Sequence, residues 1–188
     1  MNGKKGKISA YKIFLIAFAI CINLIGGQVA LLLKLPVYLD SIGTVFIASV
    51  LGPFYGMLPN VLSGLIMGMT VDIYSLYYAP VGILLGLVTG LVYRKYHPRK
   101  GWIFLAAIVI TVPSTIVSSC ITAFLFGGIT SSGSSILVQI LAKTPLGMAG
   151  SCFAVQFITD YIDRVICLYA VAILTKALPH KMEETIRG

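Results

Sequence analysis

Residues able to do chemistry are sparse in this chain, and the densest set lies toward the C-terminus. Gln156, Asp160 and Asp163 follow one another at i, i+4 and i+7, so a helix places them on one face. Arg164 stands four residues after Asp160, the spacing and order that favour an intrahelical ion pair. The flanking sequence is apolar, where an ionisable side chain must be paired or face a cavity. Asp160 and Arg164 either satisfy each other structurally or contact a ligand; the spacing allows both. With Arg164 assigned to Asp160, Asp163 and Gln156 are left to face a ligand.

Other candidates stand at segment ends. Asp40 opens one apolar run and Asp72 closes another, with Tyr74, Tyr77 and Tyr78 directly behind it. An acid beside tyrosines suits a planar polar ligand, held by stacking and hydrogen bonds. An interfacial aromatic belt accounts for at least one of the three rings. Asn23 and Gln28 are amides inside the first apolar run, suited to an interhelical hydrogen bond or to a ligand. No GxSxG, HExxH or P-loop is present. His97 and His180 sit in basic segments, and Cys21, Cys120, Cys152 and Cys167 are dispersed without a C-x-x-C pair. These residues predict ligand binding without catalysis, cofactor or metal.

The elements that hold them are apolar helices. The chain has 188 residues, 58% hydrophobic and 11% charged, with mean hydropathy +0.97, whereas a soluble domain carries about 25% charged residues. Eleven of the fourteen Lys and Arg residues fall in 1–12, 94–101 and the tail from Lys176. Cytoplasmic loops collect Lys and Arg, so the net charge of +8 is a topology signal. Nucleic-acid binding would need these cations gathered on one soluble face. The expectation is an all-α integral membrane protein: one membrane domain over 1–188, a six-transmembrane-helix bundle with both termini cytoplasmic. The spans run about 9–33, 39–51, 58–71, 79–93, 102–126 and 145–178. Lys34 and Lys143 fall outside, and Gly52–Pro59 is read as a loop without a basic residue.

Two further patterns concern packing. Gly82-x3-Gly86-x3-Gly90 and Gly64-x3-Gly68 put small residues on one face, where helix backbones can approach closely. Thr111, Thr115, Ser118, Ser119 and Thr122 form a hydroxyl stripe near Pro113, better suited to bonding backbone carbonyls than to catalysis. Gly127–Ser135 reads as a slack linker, or as a lid if a polar cavity lies beneath it.

Residues 35–56 carry a more specific signal. Leu35-Pro36-Val37-Tyr38-Leu39-Asp40-Ser41-Ile42-Gly43-Thr44, followed by Leu51-Gly52-Pro53-Phe54-Tyr55-Gly56, resembles one branch of the S components of energy-coupling factor (ECF) transporters. These are substrate-binding membrane subunits for vitamins and related micronutrients. Asp163-Arg164 is similar to an Asp-Lys/Arg pair of many members, and the Gly-rich spans behind a lysine cluster resemble the family over the whole chain. The family docks through A-x-x-x-A on the first span; Ala17-x3-Cys21 occupies that place, with Cys for the second Ala. The resemblance implies a prokaryotic plasma-membrane protein whose partners are a small-molecule substrate, a transmembrane coupling subunit and two ATPase subunits. The acids favour a ligand with donor groups or positive charge: a vitamin, cofactor precursor or nucleobase-like compound. Competing classes are a proton- or ion-coupled secondary carrier and a non-transporting membrane sensor or scaffold. Six short spans without an inverted repeat speak against the carrier.

Overall fold

The computed structural model describes residues 10–96, 98 and 101–177. Lys4, Lys5, Lys7, Arg99, Lys100, Lys181, Arg187, His97, His180 and the expected span ends at Ser9 and Leu178 lie outside the described residues. The described elements are all helical: α1 (Ala10–Leu32), α2 (Ile42–Leu51), α3 (Pro53–Thr70), α4 (Tyr74–Tyr77), α5 (Ala79–Lys95), α6 (Trp102–Cys120), α7 (Ser134–Leu141) and α8 (Gly147–Ala177). A π-helical turn, Ile121–Leu125, extends α6. By length and composition α1 and α6 with its extension are apolar enough to cross a membrane. α8 is longer, at 31 residues, but carries Asp160, Asp163 and Arg164 near its middle.

Gly52–Pro59, expected as a loop, is helix from Pro53 onward. The joint between α2 and α3 is Gly52 alone, with φ of 88°. Glycine takes that left-handed value without a Cβ penalty, and proline's fixed φ starts the next helix. The Gly127–Ser135 segment ends sooner than expected, because Ser134 already begins α7.

Small residues set the helix spacing. A Cβ on Gly86 would lie 2.5 Å from the Gly56 carbonyl group, and one on Gly90 would strike Pro53. The glycine face of α5 therefore packs backbone-close on α3. Leu15 and Ala19 of α1, Val45 and Ile47 of α2, Leu85 of α5, Ile110 of α6 and Leu168 of α8 form the main apolar core. Polar groups are also inside. On α6, Thr111, Ser114, Thr115, Ser118 and Ser119 are buried while Ile108, Val109 and Ile116 are exposed. Of the expected hydroxyl stripe, Ser119 and Thr122 donate to carbonyls three or four residues back, whereas Thr115 donates to Asp160 Oδ2 and Thr111 has no partner among the described residues.

Candidate ligand-binding cavity

The connector between α1 and α2 is the first wall of the site. Its Leu39 has φ of 53°, rare for a branched side chain, and two contacts hold it there. The Leu39 amide donates to Asp163 Oδ1 of α8 at 2.9 Å, and its carbonyl lies where a Cβ on Gly26 of α1 would be. The connector is thereby pressed between α1 and α8, presenting Tyr38, Asp40 and Ser41 to a cavity of about 110 Å³. Asn23 of α1 fixes the start of α2: its Oδ1 accepts from the Gly43 amide at 2.8 Å, and its Nδ2 donates to Thr44 at 2.9 Å. It supplies the cap that no α2 side chain provides.

The remaining walls come from α3 (Asn60, Ser63, Met67), the turn around α4 (Asp72, Tyr74, Tyr78), Gly82 of α5, and Asp160 and Arg164 of α8. Thr130, Ser131 and Ser132 cover the cavity from the segment before α7. Ser131 donates to Asp72 Oδ2 at 2.9 Å, so this segment is fastened across the mouth. Phe126 packs among Tyr74, Tyr77 and Tyr78, with ring centres 4.8, 5.3 and 6.2 Å away. Tyr78 also donates to Thr122 at 2.6 Å, since the Thr122 hydroxyl hydrogen goes to the Ser118 carbonyl. Tyr38 adds a phenolic hydroxyl to the same wall.

The α8 acids trade their expected roles. Arg164 does not pair with Asp160; its Nη1 donates to Asp163 Oδ2 at 2.8 Å. Asp160 instead accepts from Thr115 of α6 at 2.6 Å. Asp163, wholly buried, holds Arg164 and the Leu39 amide and does not line the cavity, whereas Asp160 and Arg164 both do. The reason is tertiary: Thr115 and the Leu39 amide each claim the carboxylate nearest them. Gln156 is likewise spent behind the wall, accepting from Ser118 at 3.2 Å and donating to Thr122 at 2.6 Å.

Of the residues singled out in the sequence, Asn23, Asp40, Asp72, Tyr74, Tyr78 and Asp160 line one cavity. Gln28 is exposed. It stands five residues after Asn23, a rotation of about 140° that no helical face accommodates. Asn60, Tyr38 and Ser131 were not anticipated. An amide amid the apolar residues of α3 was the signal for Asn60; Ser131 had none beyond its loop. Ala17 and Cys21 are exposed together on the outer face of α1.

The lining is unbalanced in charge. Asp40, Asp72 and Asp160 face the cavity, and Arg164, the cation among the lining residues, is matched by Asp163. Asp40 receives one side-chain hydrogen bond, from Ser41 at 2.8 Å, where an ionised carboxylate can accept about four. The site can therefore bind donors and positive charge. No family model matches the chain, and neither curated proteins nor solved structures show a significant likeness to it.

Proposed function

We propose that this chain is the substrate-binding membrane subunit of an ECF-type importer. In this reading α1, α2, α3, α5, α6 and α8 are six passes with both ends cytoplasmic in a prokaryotic plasma membrane. The subunit captures a small polar micronutrient from outside. A transmembrane coupling subunit and two ATPase subunits then drive its reorientation and inward release. The observation that carries the reading is the acid-lined cavity where the 33–41, 71–78 and 126–133 segments meet. Lys12, Arg94, Lys95 and Lys176 all lie toward the other ends of their helices, as an inward-facing end requires.

Exposure supports the membrane part. Phe14, Leu32, Trp102, Phe124 and Ile173 are all more than half exposed, while threonines and carboxylates are buried. Soluble monomers rarely leave such large apolar surfaces open. α2, with 10 residues, is about 15 Å long at the helical rise and crosses only with its flanking connector. Cavity size bears on the ligand. About 110 Å³ is close to the ~150 Å³ of a cavity that admits benzene, so this conformation takes roughly one ring.

The test is to purify the protein, release bound small molecules and identify them by mass spectrometry, with pull-down of partners from native membranes. A stoichiometric polar compound and co-purifying ATPases are expected. Uptake that depends on a proton gradient alone would instead make the chain a secondary carrier. For topology, in a background without native cysteines, Ser132→Cys should react with impermeant reagent from outside and Tyr96→Cys should not. The reverse labelling would overturn the orientation.

A further inference from the structure

Asp160 and Arg164 line the cavity one helical turn apart, in the order that ordinarily closes into an ion pair. They are held open. Thr115 of α6 takes Asp160 Oδ2 at 2.6 Å, and Asp163 takes Arg164 Nη1 at 2.8 Å. Each residue is only 5% exposed and keeps unused capacity. The buried Arg164 Nε has no hydrogen-bond partner among the described residues, and the Asp160 carboxylate receives one side-chain hydrogen bond there, at Oδ2. A buried charged donor left unpaired is costly, and native proteins seldom retain one without a use.

We infer that the ligand itself bridges this opened pair, presenting a donor to Asp160 and an acceptor to the Arg164 guanidinium from neighbouring positions on one ring. The inference rests on the ligand-binding reading above and narrows its substrate class. A simple cation would answer Asp160 and Asp40 but leave the Arg164 guanidinium unserved and set like charges together. A simple carboxylate would answer Arg164 but face Asp40, Asp72 and Asp160. An amphoteric single-ring heterocycle answers both, with an amino or ring N–H beside a carbonyl or ring nitrogen. It also matches the volume of about 110 Å³. Tyr38, a neutral hydroxyl in the same wall, can donate to a second ring acceptor.

The test uses the purified full chain in nanodiscs at pH 7 and three probes of similar size. Cytosine carries adjacent donor and acceptor groups, benzamidine carries donors and positive charge only, and benzoate carries acceptors and negative charge only. Cytosine should bind at least ten-fold more tightly than either of the others. Arg164→Lys keeps a cation opposite Asp163 and removes the guanidinium's remaining donors. It should weaken cytosine at least ten-fold while changing benzamidine less than three-fold. Benzamidine or benzoate binding as tightly as cytosine, or no probe saturating, overturns the inference. If Arg164→Lys does not fold, the ranking in the unmodified protein still decides. The two readings fail separately: a molecule released from the purified protein without a donor–acceptor edge overturns the bridge and leaves ligand binding standing. A protein that retains nothing and binds no probe overturns both.

Discussion

Where Leu15 and Ala19 meet Val45, Ile47, Leu85, Ile110 and Leu168, the helices fit by apolar shape. About a helical half-length away, the same helices meet through Asp40, Asp72, Asp160, Arg164 and their hydroxyl partners around a cavity. The first region has one way to pack, because its contacts gain from fit alone and any gap forfeits them. In the second, each hydrogen bond between protein groups can be exchanged for one to a ligand, so its walls have alternatives of similar energy. In the proposed function the apolar region is a frame and the polar region is the working part. Each of the following experiments strikes one region and leaves the other.

The largest effect belongs to the frame. Gly86→Leu puts a side chain into the Gly56 backbone, and backbone cannot yield as a flexible side chain does. The loss should exceed the ~1–3 kcal/mol of ordinary overpacking, and no monodisperse protein is expected on size exclusion. A variant with unchanged melting temperature would show that α3 and α5 separate freely, and the contrast between the regions would fail.

Next comes Asp163, which belongs to the frame although its sequence neighbours belong to the site. Asp163→Asn still accepts from the Leu39 amide but strands the Arg164 charge. Breaking a buried pair costs about 3–5 kcal/mol, so a fall in melting temperature is expected whether or not ligand is present. Asp160→Asn keeps an acceptor for Thr115 and should leave stability within about 1 kcal/mol. Its cost falls on the ligand: retention should drop by roughly ten-fold, the equivalent of ~1.4 kcal/mol. Equal effects of the two substitutions on stability would erase the division drawn through α8.

That division also marks how far the sequence could be read. The apolar runs of α1 and α6 and the glycine face of α5 are local patterns, and each is present as its spacing predicts. Spacing also chose Asp160 for Arg164, since i+4 residues are neighbours on a helix and adjacent residues are not. The structure reverses the choice because Thr115 lies 45 residues from Asp160 and Leu39 lies 124 from Asp163. No periodicity within α8 encodes partners at such separations. α7 is hidden in the sequence for a different reason: its eight residues follow a Gly/Ser-rich stretch and are too few for a span. A Gly-Pro step signals a turn without giving its length, and at Gly52 the turn is a single residue.

The smallest expected effect is at the mouth of the cavity. Ser131 donates to Asp72 Oδ2 at 2.9 Å, and Ser75 donates to the same oxygen at 3.1 Å, so Asp72 keeps a partner when Ser131 is removed. The Phe126 ring still holds its end of the segment among the three tyrosines. Ser131→Ala should therefore leave melting temperature unchanged and loosen only the fastening across the mouth. One hydrogen bond is worth about 1 kcal/mol, which predicts ligand release roughly five-fold faster. The measurement is the dissociation rate of the retained compound after dilution, compared with the unmodified protein. If the segment is a cover, the association rate rises with the dissociation rate and equilibrium affinity changes less than either. Faster release with unchanged association would instead make Ser131 a direct ligand contact and move it from the cover into the site.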